Sequence, residues 1–310
     1  MSDRPLLSVV IPVHNRASLV RRAVASVLRQ PGSSYEIVVV DDGSTDGSLT
    51  AALEEGGGRV RGIALHPNRG VGAARNAGVA AARGEWVVFL DSDDELTADA
   101  LAVIAHHARA AEEDVAKLFL RCRLSDGSLS PSIVEDATVD YVGYLRWLER
   151  NLGGSYESLP VARREAMGEL PYHDGAWPEG LHHFDFARRF RTRLCVDVVR
   201  EYRDDAPNRL MSTTAEGLLA RAPQVADHAA ALLMAHGDML AAHAPRWHTM
   251  MRREHLLFCA LAGRRSPVVR EILDMDGALP ARLFVGLVVS IAMLSPRLVA
   301  HLLAWRRRRS

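Results

Sequence analysis

Residues 86–95 read Trp-Val-Val-Phe-Leu-Asp-Ser-Asp-Asp-Glu, an apolar run that passes directly into a cluster of acids. Unbroken apolar residues over so short a length suit a strand buried on both faces of a parallel sheet. Open α/β sheets bind their ligands beyond the C-terminal ends of the strands, where Asp91 and Asp93 fall. The two are two positions apart, so on an extended backbone their carboxylates share a face. Paired hard oxygens of this kind suit Mg²⁺ or Mn²⁺, with substrate phosphates completing the shell. The competing use for such acids is capping the helix that starts near Thr97.

Upstream, the chain alternates between two hydrophobic periods. Leu7–Ile11 reads as a strand stopped by Pro12, and Ser18–Gln30 as a helix with Val20, Ala23, Val24, Val27 and Leu28 on one face. Glu36–Val40 is a second strand, followed by the turn at 41–47 and a short helix to Glu55. Val60–Leu65 is a third strand, and Val71–Arg83 a helix of small residues able to pack closely on a neighbour. Strand and helix alternating at this spacing predict an α/β fold with a doubly wound, mostly parallel sheet.

Downstream, a helix from Ala98 to about Glu113 and a strand over Val115–Leu124 continue the pattern. Residues 153–185 read as irregular loops, Phe186–Tyr202 as a helix and a short strand, and nearly everything beyond Gln224 as helix. The expected organisation is 1–120 and 121–224 as two halves of one domain, with 225–310 as a helical C-terminal extension.

Lys plus Arg and Asp plus Glu each total 38, so no global charge points to nucleic acid. Cys122, Cys195 and Cys259 are odd in number and far apart, which fits a reducing cytoplasm better than a disulfide framework. Leu283–Leu294 and Leu298–Trp305 are apolar and lead into Arg306–Arg309. Twelve apolar residues fall short of the roughly 20 that span a bilayer. An interfacial segment over 283–309, held to an anionic membrane by its basic end, is therefore expected. The corresponding location is cytoplasmic, peripheral on the inner face of the membrane; the plainer alternative is a buried final helix with a solvated tail.

Four blocks stand in order along the chain: Ser8-Val9-Val10-Ile11-Pro12-Val13-His14-Asn15-Arg16, residues 37–48, Asn68 to Gly78, and Trp86 to Glu95. Together they resemble the family-2 inverting glycosyltransferases of the GT-A nucleotide-sugar fold, closely over about 1–120 and loosely over 160–210. The resemblance implies a metal-dependent enzyme that moves a sugar from a nucleoside diphosphate sugar, usually a UDP-sugar, to a hydroxyl acceptor. With the basic apolar tail, the acceptor expected is an envelope glycan or lipid-linked glycan. It implies that Asp42 recognises the nucleotide base, with Asp41 beside it, and that Pro12, Val13 and Asn15 wall the same pocket. Asp41 also fits a turn-forming role with no ligand. Arg75 would border the diphosphate, Asp91 and Ser92 the sugar or ribose, and Asp93 would hold the Mg²⁺ or Mn²⁺.

Family members supply an acidic base from a stretch matching residues 180–190 here. The expected Glu-Asp pair is replaced by His182-His183, while Asp185 keeps the later acid. His183 is the first candidate base, since imidazole titrates near neutrality. Asp185 can orient it or act in its place, and Asp174 and Glu179 lie just upstream. Trp177 can stack on a sugar or simply pack. Two other functions remain open: a catalytically degenerate nucleotide-sugar binder, which the histidine pair favours, and a nucleotidyltransferase. The latter usually carries a glycine-rich loop that Pro12–Arg16 lacks.

Overall fold

The computed structural model describes residues 4–32, 35–173, 179–203, 214–264, 286, 289–292 and 294–307. It divides into two compact units, 1–147 with 153–206, and 148–152 with 207–310.

The first unit is built on a ten-stranded sheet. Its N-terminal half alternates strand and helix: β1 (Leu7–Val13), α1 (Ala17–Leu28), β2 (Tyr35–Asp42), α2 (Ser48–Gly56), β3 (Val60–Leu65), α3 (Val71–Ala81) and β4 (Trp86–Phe89). The order β3-β2-β1-β4 is parallel throughout. Side chains alternate between two cores, as the pleat requires. Val9, Ile11, Trp86 and Val88 join Val20, Val24 and Val27 of α1 on one side. Val10, Val87 and Phe89 join Ala74 and Val79 of α3 on the other. The helix of small residues does pack closely: a Cβ at Gly78 would overlap Val10, and one at Gly72 would overlap the His173 carbonyl.

The remaining elements are β5 (Glu95–Leu96), α4 (Ala100–Ala110), β6 (Val115–Arg123), β7 (Leu129–Ser130), β8 (Ala137–Val139), α5 (Tyr141–Arg150), β9 (Ser158–Arg163), α6 (Arg164–Glu169), α7 (Gly180–Arg189) and β10 (Arg191–Glu201). β9 inserts antiparallel between β4 and β6, and β10 lies parallel to β6. All-parallel pairing is thus confined to the N-terminal strands, and the other half is mixed. Sequence periodicity missed β9 and shortened β10, which runs eleven residues with irregular register past Cys195. Pro160 disguised β9, and Pro12 truncated β1, for one reason. Each proline pairs on one side only: Pro160 opposite Phe119, beyond the β4 ladder, and Pro12 opposite Val40, beyond it as well. A missing N–H costs little where one neighbour is absent.

The second unit holds α8 (Ala215–His243), α9 (Pro245–Leu261) and α10 (Pro296–Arg307). Thr214 caps α8 by accepting the Gly217 N–H at 3.1 Å. Leu218, Ala222, Leu256, Cys259, Val299 and Ala300 share its core. Among the described residues no helix is long and apolar enough to cross a membrane. Most of Leu283–Leu294, with Asp174 and Trp177, lies outside the described residues. All three cysteines are free and buried.

Candidate active site

The acids after β4 do not continue the strand. Leu90 N–H still bonds Val10 at 3.1 Å, but the Asp94 N–H turns back to the Asp91 carbonyl at 3.1 Å. This turn corrects the expectation that Asp91 and Asp93 share a face on extended backbone, and each acid meets its own arginine. Asp91 accepts from Arg75 Nη2 at 2.8 Å and faces Arg200 Nη1 at 3.6 Å. Asp93 pairs with Arg16 Nη1 at 2.9 Å. Asp94 pairs with Arg200 Nη1 at 3.1 Å, and Glu157 with Arg200 Nη2 at 3.1 Å. Ser92 is buried, its hydroxyl 3.5 Å from Arg16 Nη1.

Arg75 and Arg200 are both almost wholly buried. Burial alone would discharge them, but the surrounding carboxylates outweigh it and hold both guanidiniums charged. Burial likewise opposes the charge of Asp91, yet Arg75 and Arg200 prevail and keep its carboxyl below the ordinary range. For Asp94 burial wins: its carboxyl is pushed up to about 7, with Arg200 opposing and the Asp91 charge adding.

At the end of β2, Asp42 accepts the backbone N–H groups of Arg69 at 2.8 Å and Gly70 at 2.7 Å. Each carboxylate oxygen keeps a second lone pair for a ligand donor. Asp41 accepts the Ser44 N–H at 3.0 Å, the turn-forming role anticipated as its alternative. Asn15 adopts φ 51°, a left-handed geometry asparagine tolerates, and its side chain accepts from Thr45 N–H at 2.8 Å. Pro12 and Val13 are buried within β1. The four sequence blocks therefore bond in a closed cycle: Asn15 to Thr45, Asp42 to Gly70, Arg75 to Asp91, and Asp93 to Arg16.

Helix α7 brings a fifth component. Glu179, the residue before its first turn, pairs with the second nitrogen of Arg75, which so bridges Asp91 and Glu179. The two histidines separate. His182 is buried, stacked on Tyr172 at 4.1 Å, and its Nε2–H donates to the Leu170 carbonyl at 3.0 Å. Burial, then the Lys117 charge, lowers its pKa to about 3. His183 shares a 2.6 Å hydrogen bond through Nδ1 with Lys117 Nζ, and burial and the same charge hold it well below the ordinary imidazole value. Asp185 pairs with Arg188 at 3.0 Å, along α7 itself.

Arg200 and Lys117 escaped sequence reasoning. Arg200 sits over a hundred residues from Asp91 in a strand whose length was underestimated, and no local pattern marks it. Lys117 carried a signal that composition alone could have exposed: it is the single lysine of the chain.

The oxygens at the end of β4 fit a hard divalent ion. Asp93 offers a carboxylate whose protein partner is an arginine, a group able to turn to phosphate instead. One or two carboxylates plus diphosphate is how Mg²⁺ is commonly held. A separate group, His107, Asp136 and Asp197, gathers three potential ligand atoms within 4.8 Å and shares no residue with this set. There His107 Nε2 lies 2.7 Å from Asp197, and Arg193 lies 3.3 Å from Asp136.

The family model for "Glycosyl transferase family 2" matches residues 8–169, more than half of the chain. The chain belongs to glycosyl transferase family 2. The matched segment holds every link of the closed cycle. Within the family, the chain is 46% identical over 114 residues to the succinoglycan biosynthesis protein ExoO of Rhizobium meliloti, covering 36% of this chain and 32% of that one. It is 36% identical over 131 residues to the GalNAc(5)-diNAcBac-PP-undecaprenol beta-1,3-glucosyltransferase of Campylobacter jejuni, covering 41% of each. The likeness thus spans about a third to two fifths of the length of these curated relatives. The fold is similar to S. aureus TarS 1-349 in complex with UDP-GlcNAc (TM-score 0.54, 16% identity, 98% of this chain and 91% of that one). It is equally similar to the mannosyltransferase PcManGT of Pyrobaculum calidifontis in complex with GDP-Man and Mn²⁺ (TM-score 0.54, 19% identity, 98% and 85%). These likenesses establish the GT-A fold class for a mixed α/β sheet with added C-terminal helices.

Proposed function

We propose that this family-2 member moves a sugar from a nucleoside diphosphate sugar, a UDP-sugar foremost, to a hydroxyl of an envelope or lipid-linked glycan, with inversion. The observation that carries the reading is the Asp91–Arg75–Glu179 bridge, which joins the donor-side strand end to the acceptor-side helix. Asp42 would accept from the base, and Asn15 and Asp41 would hold the loops around it. Asp93 would hold Mg²⁺ or Mn²⁺, an ion that offsets negative charge on the departing diphosphate. Arg75 and Arg200 keep Asp91 ionised and aimed at the sugar or ribose hydroxyls, beside buried Ser92. Arg16 is placed to exchange Asp93 for a phosphate oxygen. His183 is the proposed acceptor of the hydroxyl proton, with Asp185 farther along the same helix. The basic end of 283–309 would hold the protein to an anionic membrane on its cytoplasmic side, near a lipid-borne acceptor.

One observation favours a second reading, a nucleotide-sugar binder without turnover: His182 is turned into the core, and His183 alone has low proton affinity. Thermal-shift titration with a panel of nucleoside diphosphates and their sugars, with and without Mn²⁺, tests donor binding. A metal-dependent rise for one base that Asp93→Asn abolishes is the expected result. Release of free nucleoside diphosphate then separates enzyme from binder, and a flat panel from folded protein refutes both.

A further inference from the structure

Lysine occurs once in the 310 residues, at 117, against 37 arginines. Arginine serves every other cationic position, on the surface and in the buried pairs alike. What arginine cannot do in a protein is give up its proton, whereas a buried amine can. Lys117 sits on β6, 1% exposed, with Nζ over the rings of Phe119 and Phe186 at 5.0 and 4.9 Å. Its hydrogen-bond partner is His183 Nδ1 at 2.6 Å. The charged and titratable groups that face the pair are Glu179 just before α7, His182 from α7 and Arg75 from α3. Among the described residues no carboxylate lies within ion-pair distance of Nζ.

The N···N hydrogen bond can run in either direction. With Lys117 an ammonium, Nζ–H donates to Nδ1, the ring proton sits on Nε2, and Nε2 cannot accept. With Lys117 an amine, Nζ gains a lone pair that can accept Nδ1–H, and in that arrangement Nε2 carries a lone pair. We propose that Lys117 is the proton store of a lysine–histidine relay: as an amine it sets His183 Nε2 to take the acceptor hydroxyl's proton, and it receives the Nδ1 proton as that happens. This rests on the glycosyl-transfer reading. Lys117 touches no substrate and is a positioning residue acting through His183.

The step balances. The acceptor O–H bond breaks and its proton goes to Nε2, while the Nδ1 proton passes to Nζ. The acceptor oxygen's electron pair forms the new bond to the sugar's anomeric carbon, and the old C–O pair leaves with the diphosphate. The ring ends neutral in its other tautomer, the charge rests on Lys117, and the proton returns to water by the reverse path between turnovers. Burial lowers the Lys117 pKa to about 7, Glu179 opposing and Arg75 adding, so the amine is accessible near neutrality. Proton uptake by His183 alone is opposed by its burial and by the adjacent ammonium.

The lone lysine makes the test direct. Full-length protein labelled with ¹³C,¹⁵N-lysine gives one lysine side-chain signal, which is followed from pH 5 to 10. The expected midpoint lies near 7, about three units below the ordinary 10.4 of lysine. A signal that stays ammonium to pH 10 overturns the relay, whether or not a donor has been found. With whichever UDP-sugar stabilises the protein, nucleotide release should rise about tenfold per pH unit to near pH 7 and level above it. Lys117→Arg and Lys117→Met should each cut kcat by roughly 10²-fold or more with donor affinity within about twofold. Wild-type kcat in either folded variant overturns the relay alone. Absence of turnover in the wild type overturns the transfer reading and the relay together.

Discussion

Replacing His182 by glutamine isolates the cost of burying a neutral imidazole in α7. The ring is 2% exposed, stacked on Tyr172, and bonded to the Leu170 carbonyl. Its pKa falls from the ordinary 6.5 to about 3, through burial first and the Lys117 charge second. The unfolded chain therefore takes up a proton at 182 as the pH drops past 6.5, while the folded chain resists until near 3. Stability is retained in full above about pH 7 and lost as the pH falls through that window. Each unit is worth about 1.4 kcal/mol. Going from pH 7.5 to 5.0 crosses about 1.5 units of the window and removes about 2 kcal/mol. Glutamine keeps an N–H for Leu170 but has no proton to gain. At pH 7.5 it should cost about 1 kcal/mol of lost ring stacking. At pH 5.0 that deficit should vanish or reverse. Urea unfolding at the two pH values reads the difference directly. Equal losses in both proteins between pH 7.5 and 5.0 would refute the reasoning, because His182 would then titrate as though exposed.

Arg75→Met should destabilise the folded protein by about 2–3 kcal/mol at pH 7.5, measured by chemical unfolding. That is less than the 3–5 typical of a wholly buried pair, because Asp91 and Glu179 keep part of their surface in water. Asp42→Ala leaves the N–H groups of Arg69 and Gly70 without their acceptor and should cost about 2–4 kcal/mol in the same assay. An unchanged midpoint would mean that water replaces the carboxylate freely. Changing Arg306–Arg309 to alanine should weaken co-sedimentation with anionic vesicles by roughly two to three orders of magnitude, at about 1 kcal/mol per basic residue. Equal sedimentation would return the tail to a solvated role.

The loops after the parallel strands were legible because their signals are local. An apolar run ending in acids, a small-residue helix and a turn rich in Asp and Gly each declare themselves within about ten residues. Asp91 and Asp93 stand out from the run itself, while Asp42 and Arg75 were reached through the family resemblance. The rest of the candidate site was not, because its parts meet only through sheet register. β9 enters antiparallel and carries Pro160, so it reads as loop until its one-sided pairing is known. Arg200 reaches Asp91 and Asp94 from the last strand. The His182-His183 dipeptide looked like one substituted motif. Helical geometry turns successive side chains about 100° apart, so one ring packs inward against Tyr172 while the other meets Lys117.

The closed cycle of four loops behaves as a hoop does under load. In an open row, each loop is steadied only by its neighbours, and the ends are loose. In a hoop every loop is reached by two routes, so slackness at one point is taken up from the other direction. On the proposed reading, a nucleotide gripping the Asp42 loop would stiffen the Asp93 loop across from it by way of both Asn15 and Arg75. Donor binding would in this way prepare the carboxylate proposed to hold the metal.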